Sequence, residues 1–314
     1  MGYILLLFAL LLIGTPIAVA LIAVGLSFVV LTIQMDPLIA AQRVATGIDS
    51  FPLLAIPFFM LAAELMNAAG ITDRIFRLAK AMVGAVPGGL AHVNVLASML
   101  FAGMSGSAVA DAAGLGRIEI KAMRDDGYDP DFAAAVTAAS STIGPIIPPS
   151  ISAVIYGLTA GVSIGGLFAA GFIPGVLMGL SMMVLIAFYS NRRNYGRGQR
   201  FAIKELFSAF IDSFLALMTP VIIVGGILGG IFTPTEAGAF AVLYAFILGK
   251  FIYRTIAWKD IPNLIFDTAL SAGNILFIIA ATALIGWILT AQQVPLHMAA
   301  VVVDLSVSPW TLLL

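Results

Sequence analysis

The sequence predicts an all-α polytopic membrane protein built as an inverted repeat, with a re-entrant hairpin and broken helices. Three observations carry that reading. The 314 residues are 61% hydrophobic and 10% charged, with a mean hydropathy of +1.10, whereas soluble domains carry about 25% charged residues and cover their cores with them. All fifteen Lys and Arg fall in short stretches between apolar runs. Two segments at membrane depth are so rich in Gly, Ser, Thr or Pro that a plain lipid-facing helix does not account for them.

The elements follow in order from a simple length rule, since a helix needs about 20 apolar residues to cross the bilayer. Residues 3–33 are apolar but interrupted at Gly14-Thr15-Pro16, which predicts two short pieces. Ala18-Val19-Ala20 resembles a signal-peptidase site, yet no Lys or Arg precedes the run and hydrophobicity continues to Ile33, so a retained span is expected. Residues 52–70 form the next span. The run 90–116 lies between two basic stretches, Arg74, Arg77 and Lys80 before it and Arg117, Lys121 and Arg124 after it. Both flanks are therefore cytoplasmic by the positive-inside rule. A segment with both ends on one side does not cross, so 90–116 is a re-entrant hairpin turning at Gly103-Met104-Ser105-Gly106-Ser107. Residues 131–160 then lead outward, and 165–190 return to the most basic loop, 191–204, with Arg192, Arg193, Arg197, Arg200 and Lys204. Spans 206–231, 239–256 and 264–290 alternate, leaving Gln292 and Gln293 outside before a last run, 297–314. Tyr253, Trp258 and Trp310 sit near segment ends, where aromatic belts are expected.

Splitting the chain at the basic loop exposes a repeat. Thr15-Pro16-Ile17 reappears as Thr219-Pro220-Val221, and Ile56-Pro57-Phe58-Phe59 resembles Ile275-Leu276-Phe277-Ile278. Residues 1–190 are then the first repeat, 191–204 a cytoplasmic loop, and 205–314 an incomplete second repeat. An odd number of crossings separates the two hairpin positions, which puts them on opposite faces. That is the plan of secondary transporters, whose site lies at the midplane where broken helices meet. The second turn would fall beyond Leu314, so the chain is expected to be C-terminally truncated and to hold half of a two-part site.

Composition removes other functions. A net charge of −1 leaves no basic footprint for nucleic acid. With no cysteine there is no disulfide, thiolate metal site or cysteine nucleophile, and His92 and His297 alone offer little to zinc or haem. The sequence contains no GxxxxGK[ST] phosphate-binding loop.

Two segments carry the chemistry. The first is the turn Gly103-Met-Ser-Gly-Ser-Ala-Val-Ala-Asp111 and the second is Ser140-Ser-Thr-Ile-Gly-Pro-Ile-Ile-Pro-Pro-Ser150. Three prolines within five residues force the second helix open, and opened backbone at membrane depth must be buried in protein or line a polar cavity. Ser and Thr hydroxyls beside freed carbonyls are hard oxygen ligands suited to an alkali cation. The half-helix beginning at Ser150 directs positive partial charge to the same place, which suits a carboxylate. The plainer alternatives are a proline-kinked helix and small residues acting as packing glue. Asp111, four residues past Ser107, is read as a cap or as a second ring of contacts around a cation. Glu236 is read as a helix-start acid after Thr233-Pro234-Thr235, and Glu64, Asp267 and Asp304 as partnered or interfacial acids.

With these motifs, and Phe232-Thr-Pro-Thr-Glu-Ala-Gly-Ala-Phe240, the chain resembles the DctM-like large membrane subunit of tripartite ATP-independent periplasmic (TRAP) transporters over essentially its whole length. The resemblance implies a sodium-coupled symporter of organic carboxylates working as an elevator in the bacterial inner membrane. Sialic acid, dicarboxylates, keto acids and sugar acids all come into question as substrates. It implies two partners, a small four-helix DctQ-like membrane subunit and a DctP-like periplasmic solute-binding protein, with no cofactor beyond the coupling Na+. Carried over by position, Ser105, Gly106, Ser107, Thr142, Gly144 and Pro145 correspond to a sodium site. Pro148 and Pro149 shape the break, and Ser140, Ser141 and Ser150 border the substrate carboxylate. The family's second hairpin turn and second Thr-Pro-Pro break are absent from these residues. Gly103-Met104-Ser105-Gly106 also matches the Gly-x-Ser-Gly element of rhomboid-type intramembrane proteases, and a passive channel is a third reading; both compete with transport.

Overall fold

The computed structural model describes residues 2–193, 195 and 201–304, and among them every regular element is helical. The first apolar run is split as expected. α1 (Gly2–Leu12) ends before Gly14, whose φ of 88° only glycine adopts readily, and α2 (Ile17–Phe28) starts after Pro16 and continues through a π turn, Val29–Ile33. α3 (Pro37–Thr46) follows, its N-terminus capped by Asp36, which accepts from the Leu38 amide at 2.8 Å. A 3₁₀ turn, Phe51–Leu54, feeds α4 (Ala55–Ala68), and α5 (Ile71–Val83) packs on the next helix.

The hairpin consists of α6 (Gly89–Ser105) and α7 (Ala108–Asp125), packed against each other and joined by Gly106 and Ser107. The broken span consists of α8 (Pro130–Ser141) and α9 (Ile151–Ala160). α10 (Ile164–Arg193), α11 (Ile203–Leu228), α12 (Pro234–Ile247, extended by a π turn to Ile252), α13 (Ile261–Ala291) and α14 (Val294–Asp304) complete the chain. Among the described residues five elements are long and apolar enough to cross a membrane: 51–68, α10, α11, 234–252 and α13. The protein is a multi-pass, all-α membrane protein.

Two differences from the sequence reading stand out. The second hairpin arm runs to Asp125 and not to 116, because Arg117, Lys121 and Arg124 lie on its exposed side while Glu119 and Met123 are buried on the other. The stretch holding Arg74, Arg77 and Lys80 is likewise no loop. It is the amphipathic helix α5, which buries Ile71, Ile75, Leu78 and Ala79 and pairs Arg74 and Arg77 with Asp212 of α11 at 3.1 and 3.5 Å. Of the last predicted run, 297–314, only the part to Asp304 lies among the described residues; Trp310 and the Asp304 side chain lie outside them.

The chain forms two compact units. One draws on residues before Phe51 and from Leu270 onward, and is centred on Val29, Ala40, Leu284 and Ile288. Gly25 and Gly47 let α2 and α3 approach α13 closely there, since a Cβ at either would meet Leu284 or Ala283. The other unit, Phe51–Ala269, holds the hairpin and the broken helix. At its centre is α6, packed on α5, α7, α8 and α10, with Val95, Ala102, Ile143 and Ile147 in one apolar cluster. Within this unit the capping box expected at Glu236 is present: its carboxylate accepts from the Thr233 amide and hydroxyl, each at 2.8 Å. Glu64 and Asp267 are exposed.

Candidate functional site

The hairpin turn exists because α6 ends on a residue in left-handed conformation. Gly106 has φ 61° and returns its amide to Ala102, and Ser107 is extended and caps α7 by accepting from the Ala110 amide. Opposite it, α8 ends at Ser141 and the chain runs through Thr142–Pro149 without a regular helix. Ser150 restarts the helix, accepting from the Ala153 amide at 3.1 Å while donating to the Pro145 carbonyl. The prolines are the cause: each removes a donor, so carbonyls a turn earlier lose their partners.

These two irregular segments meet. A Cβ on Gly106 would collide with the Pro149 carbonyl oxygen, and one on Gly144 would lie 3.1 Å from the Ser107 carbonyl. The Ile151 amide points to the Gly106 carbonyl at 3.4 Å. Gly103, one turn into α6, sits against Pro220 of α11, with 3.0 Å available to a Cβ. Glycine is thus required at 106 by close backbone approach, and at 144 a side chain would be tight against the Ser107 carbonyl. Sequence-predicted Ser105, Gly106, Ser107, Gly144, Pro145, Pro149 and Ser150 are gathered at one place. Ser105 is buried there with a hydroxyl lacking any hydrogen-bond partner among the described residues.

Thr142 is placed differently. It is exposed, and its hydroxyl donates back to the Ala139 carbonyl at 2.6 Å. Ser140 and Ser141 are buried but turned toward the hairpin's first arm and the preceding turn. Ser140 donates to Asn94 Oδ1 at 2.7 Å and takes a contact from Ser98 at 3.1 Å, while Ser141 donates to the Thr137 carbonyl. Asn94 in turn donates to Thr137 Oγ1 at 2.6 Å. This network ties α6 to α8. A lone Asn within an apolar run gave the sequence reading no reason to single it out, so Asn94, Ser98 and Thr137 were missed. Asp111 stands in the first turn of α7, fully buried, with neither oxygen hydrogen-bonded among the described residues although the Ser98 and Ser141 hydroxyls are beside it. Glu119, two turns further on the same buried face, also has no hydrogen-bond partner among the described residues.

The oxygen set at the junction is one of hydroxyls and main-chain carbonyls. Such neutral, hard donors fit a monovalent alkali cation better than a transition metal, and among the described residues no group of three His, Cys, Asp or Glu converges to hold a metal. The arrangement does not fit a serine nucleophile. Ser105 has no base bonded to it, and His92 lies thirteen residues back along the same helix, about 20 Å at 1.5 Å per residue.

The family described as the DctM component of the tripartite ATP-independent periplasmic transporters matches residues 4–314. The chain is 46% identical over 313 residues to the sialic acid TRAP transporter large permease protein SiaM of Vibrio cholerae, covering all of this chain and 72% of that protein. It is 44% identical to the sialic acid TRAP transporter permease protein SiaT of Haemophilus influenzae, over 96% of this chain and 49% of that one. With the 2,3-diketo-L-gulonate TRAP transporter large permease protein YiaN of Escherichia coli the identity is 40%, over 95% and 70%. These are transport components, not enzymes, and the chain belongs to the DctM family of TRAP transporter large permease subunits.

Proposed function

We propose that this permease carries out sodium-coupled import of an organic carboxylate across the bacterial inner membrane. A periplasmic binding protein delivers the substrate and a small membrane subunit braces the permease. The observation that carries the reading is the meeting of the Gly106-Ser107 turn with the Thr142–Ser150 break, with the unpartnered Ser105 hydroxyl beside it. Ser105 and Ser107, with the main chain of Gly106, Gly144 and Pro145, would hold the sodium ion, whose charge offsets that of the substrate carboxylate. The start of α9 at Ser150 presents amides and the positive end of a helix to that carboxylate. Thr142 contributes through its main chain, since its hydroxyl is used at Ala139. Inverted repeats divided at 191–204 and an elevator movement of the hairpin module belong to the same proposal.

The substrate to test first is sialic acid, because two of the most similar relatives carry that name. The chain spans 72% of the first and about half of the second, so the experiment uses the permease with its small partner and loaded binding protein in proteoliposomes. Uptake is expected to require an inward sodium gradient and to fall at least tenfold in the double variant Ser105→Ala, Ser107→Ala. Sodium-independent uptake would defeat the ion assignment. Flux without the binding protein would point instead to a passive pore.

A further inference from the structure

A cleft of 520 Å³ lies between α6, α8 and α10, away from the hairpin tip. Its wall is apolar: Phe132, Ala135 and Val136 on one side and Met182, Leu185 and Tyr189 on the other. Its mouth is charged with both signs. Asp129 and Arg193 face each other across it at 3.3 Å, both about half-exposed, and Asp131 stands beside them. The Arg193 guanidinium is also 3.4 Å from the Tyr195 hydroxyl and lies over the Phe132 ring.

The depth of the cleft matches one leaflet. From Asp129 at the rim to Ala139, the lining residue furthest along the helix, is ten residues, about 15 Å of helix, and the hydrocarbon core is about 30 Å thick. Arg193 at the rim opens the basic stretch of sequence, 191–204, that the positive-inside rule puts on the cytoplasmic side, so the rim lies at the cytoplasmic headgroup level. Ala135, Leu185 and Tyr189 are exposed, so the cleft opens on the flank of the helices.

We propose that this cleft holds one acyl chain of an inner-leaflet phospholipid whose headgroup carries both an amine and a phosphate, as phosphatidylethanolamine does. The ammonium is received by Asp129 and Asp131 and the phosphate by Arg193, whereas a headgroup without an amine offers nothing to the two carboxylates. The chain lies between Phe132 and Leu185, wedged between the broken helix and α10. This site is independent of the sodium and substrate assignments.

The test purifies the full chain from native membranes, washes it in detergent, and quantifies the retained phospholipids by extraction and mass spectrometry. Wild-type protein is expected to keep phosphatidylethanolamine selectively over phosphatidylglycerol. Ala135→Trp, which fills the cleft, and Arg193→Gln, which removes the phosphate partner, are each expected to lower that retention several-fold. Arg193 is about half-exposed and its loss removes surface contacts to Asp129 and Phe132 but no buried side chain, so the second variant reads out even where the first unfolds. Equal retention in Arg193→Gln and wild type, or equal retention of the two lipids, overturns the headgroup assignment. Loss of the lipid on assembly with the small membrane subunit would assign the cleft to a protein partner and overturn the proposal outright.

Discussion

α6 and α10 are both apolar helices of one membrane unit, yet they are solvated by different media. α6 has seventeen residues, and fourteen of them are buried by protein. α10 has thirty, of which five are buried, and it leaves Phe172, Leu177, Val184 and Phe188 exposed. Hydrophobicity does not distinguish the two; what does is the polar content that each can tolerate. α6 carries Asn94 and Ser98 fully buried because α8 supplies Thr137 and Ser140 as partners. α10 faces lipid over most of its surface, where an unpaired amide or hydroxyl would cost several kcal/mol. Mid-span polar side chains that take their partners from another helix therefore mark where protein, not lipid, surrounds the helix, whereas the exposed Ser181 of α10 donates to its own helix at the Met178 carbonyl, 2.7 Å away.

The sharpest way to break α6 is at its end. Gly106→Val imposes a β-branched residue on a left-handed conformation, about 1–2 kcal/mol by itself, and drives the side chain into the Pro149 carbonyl. Uptake is expected to be lost and the thermal transition in detergent lowered by many degrees. Gly161→Val supplies the comparison, because Gly161 has a similar φ of 66° but open space around it. It should show the strain alone. Equal damage from the two would mean that close approach to the break is not what fixes Gly106.

Next in size is the core of the same helix. Phe101 is 2% exposed, and Phe101→Ala is expected to cost about 3–5 kcal/mol in reversible unfolding. Asn94→Leu should follow at about 1–3 kcal/mol, since it strands the Thr137 hydroxyl and removes the acceptor of Ser140. Pairing it with Thr137→Val in a double-mutant cycle checks the network directly, because coupled partners give a non-additive sum.

How much of this was readable beforehand depends on which residues lipid forbids. Charges cannot sit in mid-span, so their confinement betrayed the hairpin, and the Pro145, Pro148 and Pro149 set betrayed the break. Where charge lies along one side of a helix, the same logic failed: Arg117 and Arg74 looked like loop residues, yet Arg117 is on the exposed face of α7 and Arg74 is in α5, paired with Asp212 of α11. The contact of Gly106 with Pro149 was anticipated only as two irregular segments in need of each other. The hydroxyls divided more finely than composition allows. Ser105 stays free at the junction while Thr142 and Ser140 are used elsewhere, a distinction set by rotamer and helix register.

The smallest expected effect lies on α10 and tests the comparison from its other side. Leu177 is 59% exposed, and in a soluble protein such a site changes stability by no more than about 0.5 kcal/mol. In detergent or lipid the apolar solvent replaces the lost methyl contacts, so Leu177→Ala should fall within the same limit by thermal unfolding and leave uptake unchanged. A loss above about 1 kcal/mol appearing only when the small membrane subunit is present would have one physical meaning. The face of α10 that bears Leu177 would then be covered by protein, as α6 is, and its apolar character would reflect a dry interface, not exposure to lipid.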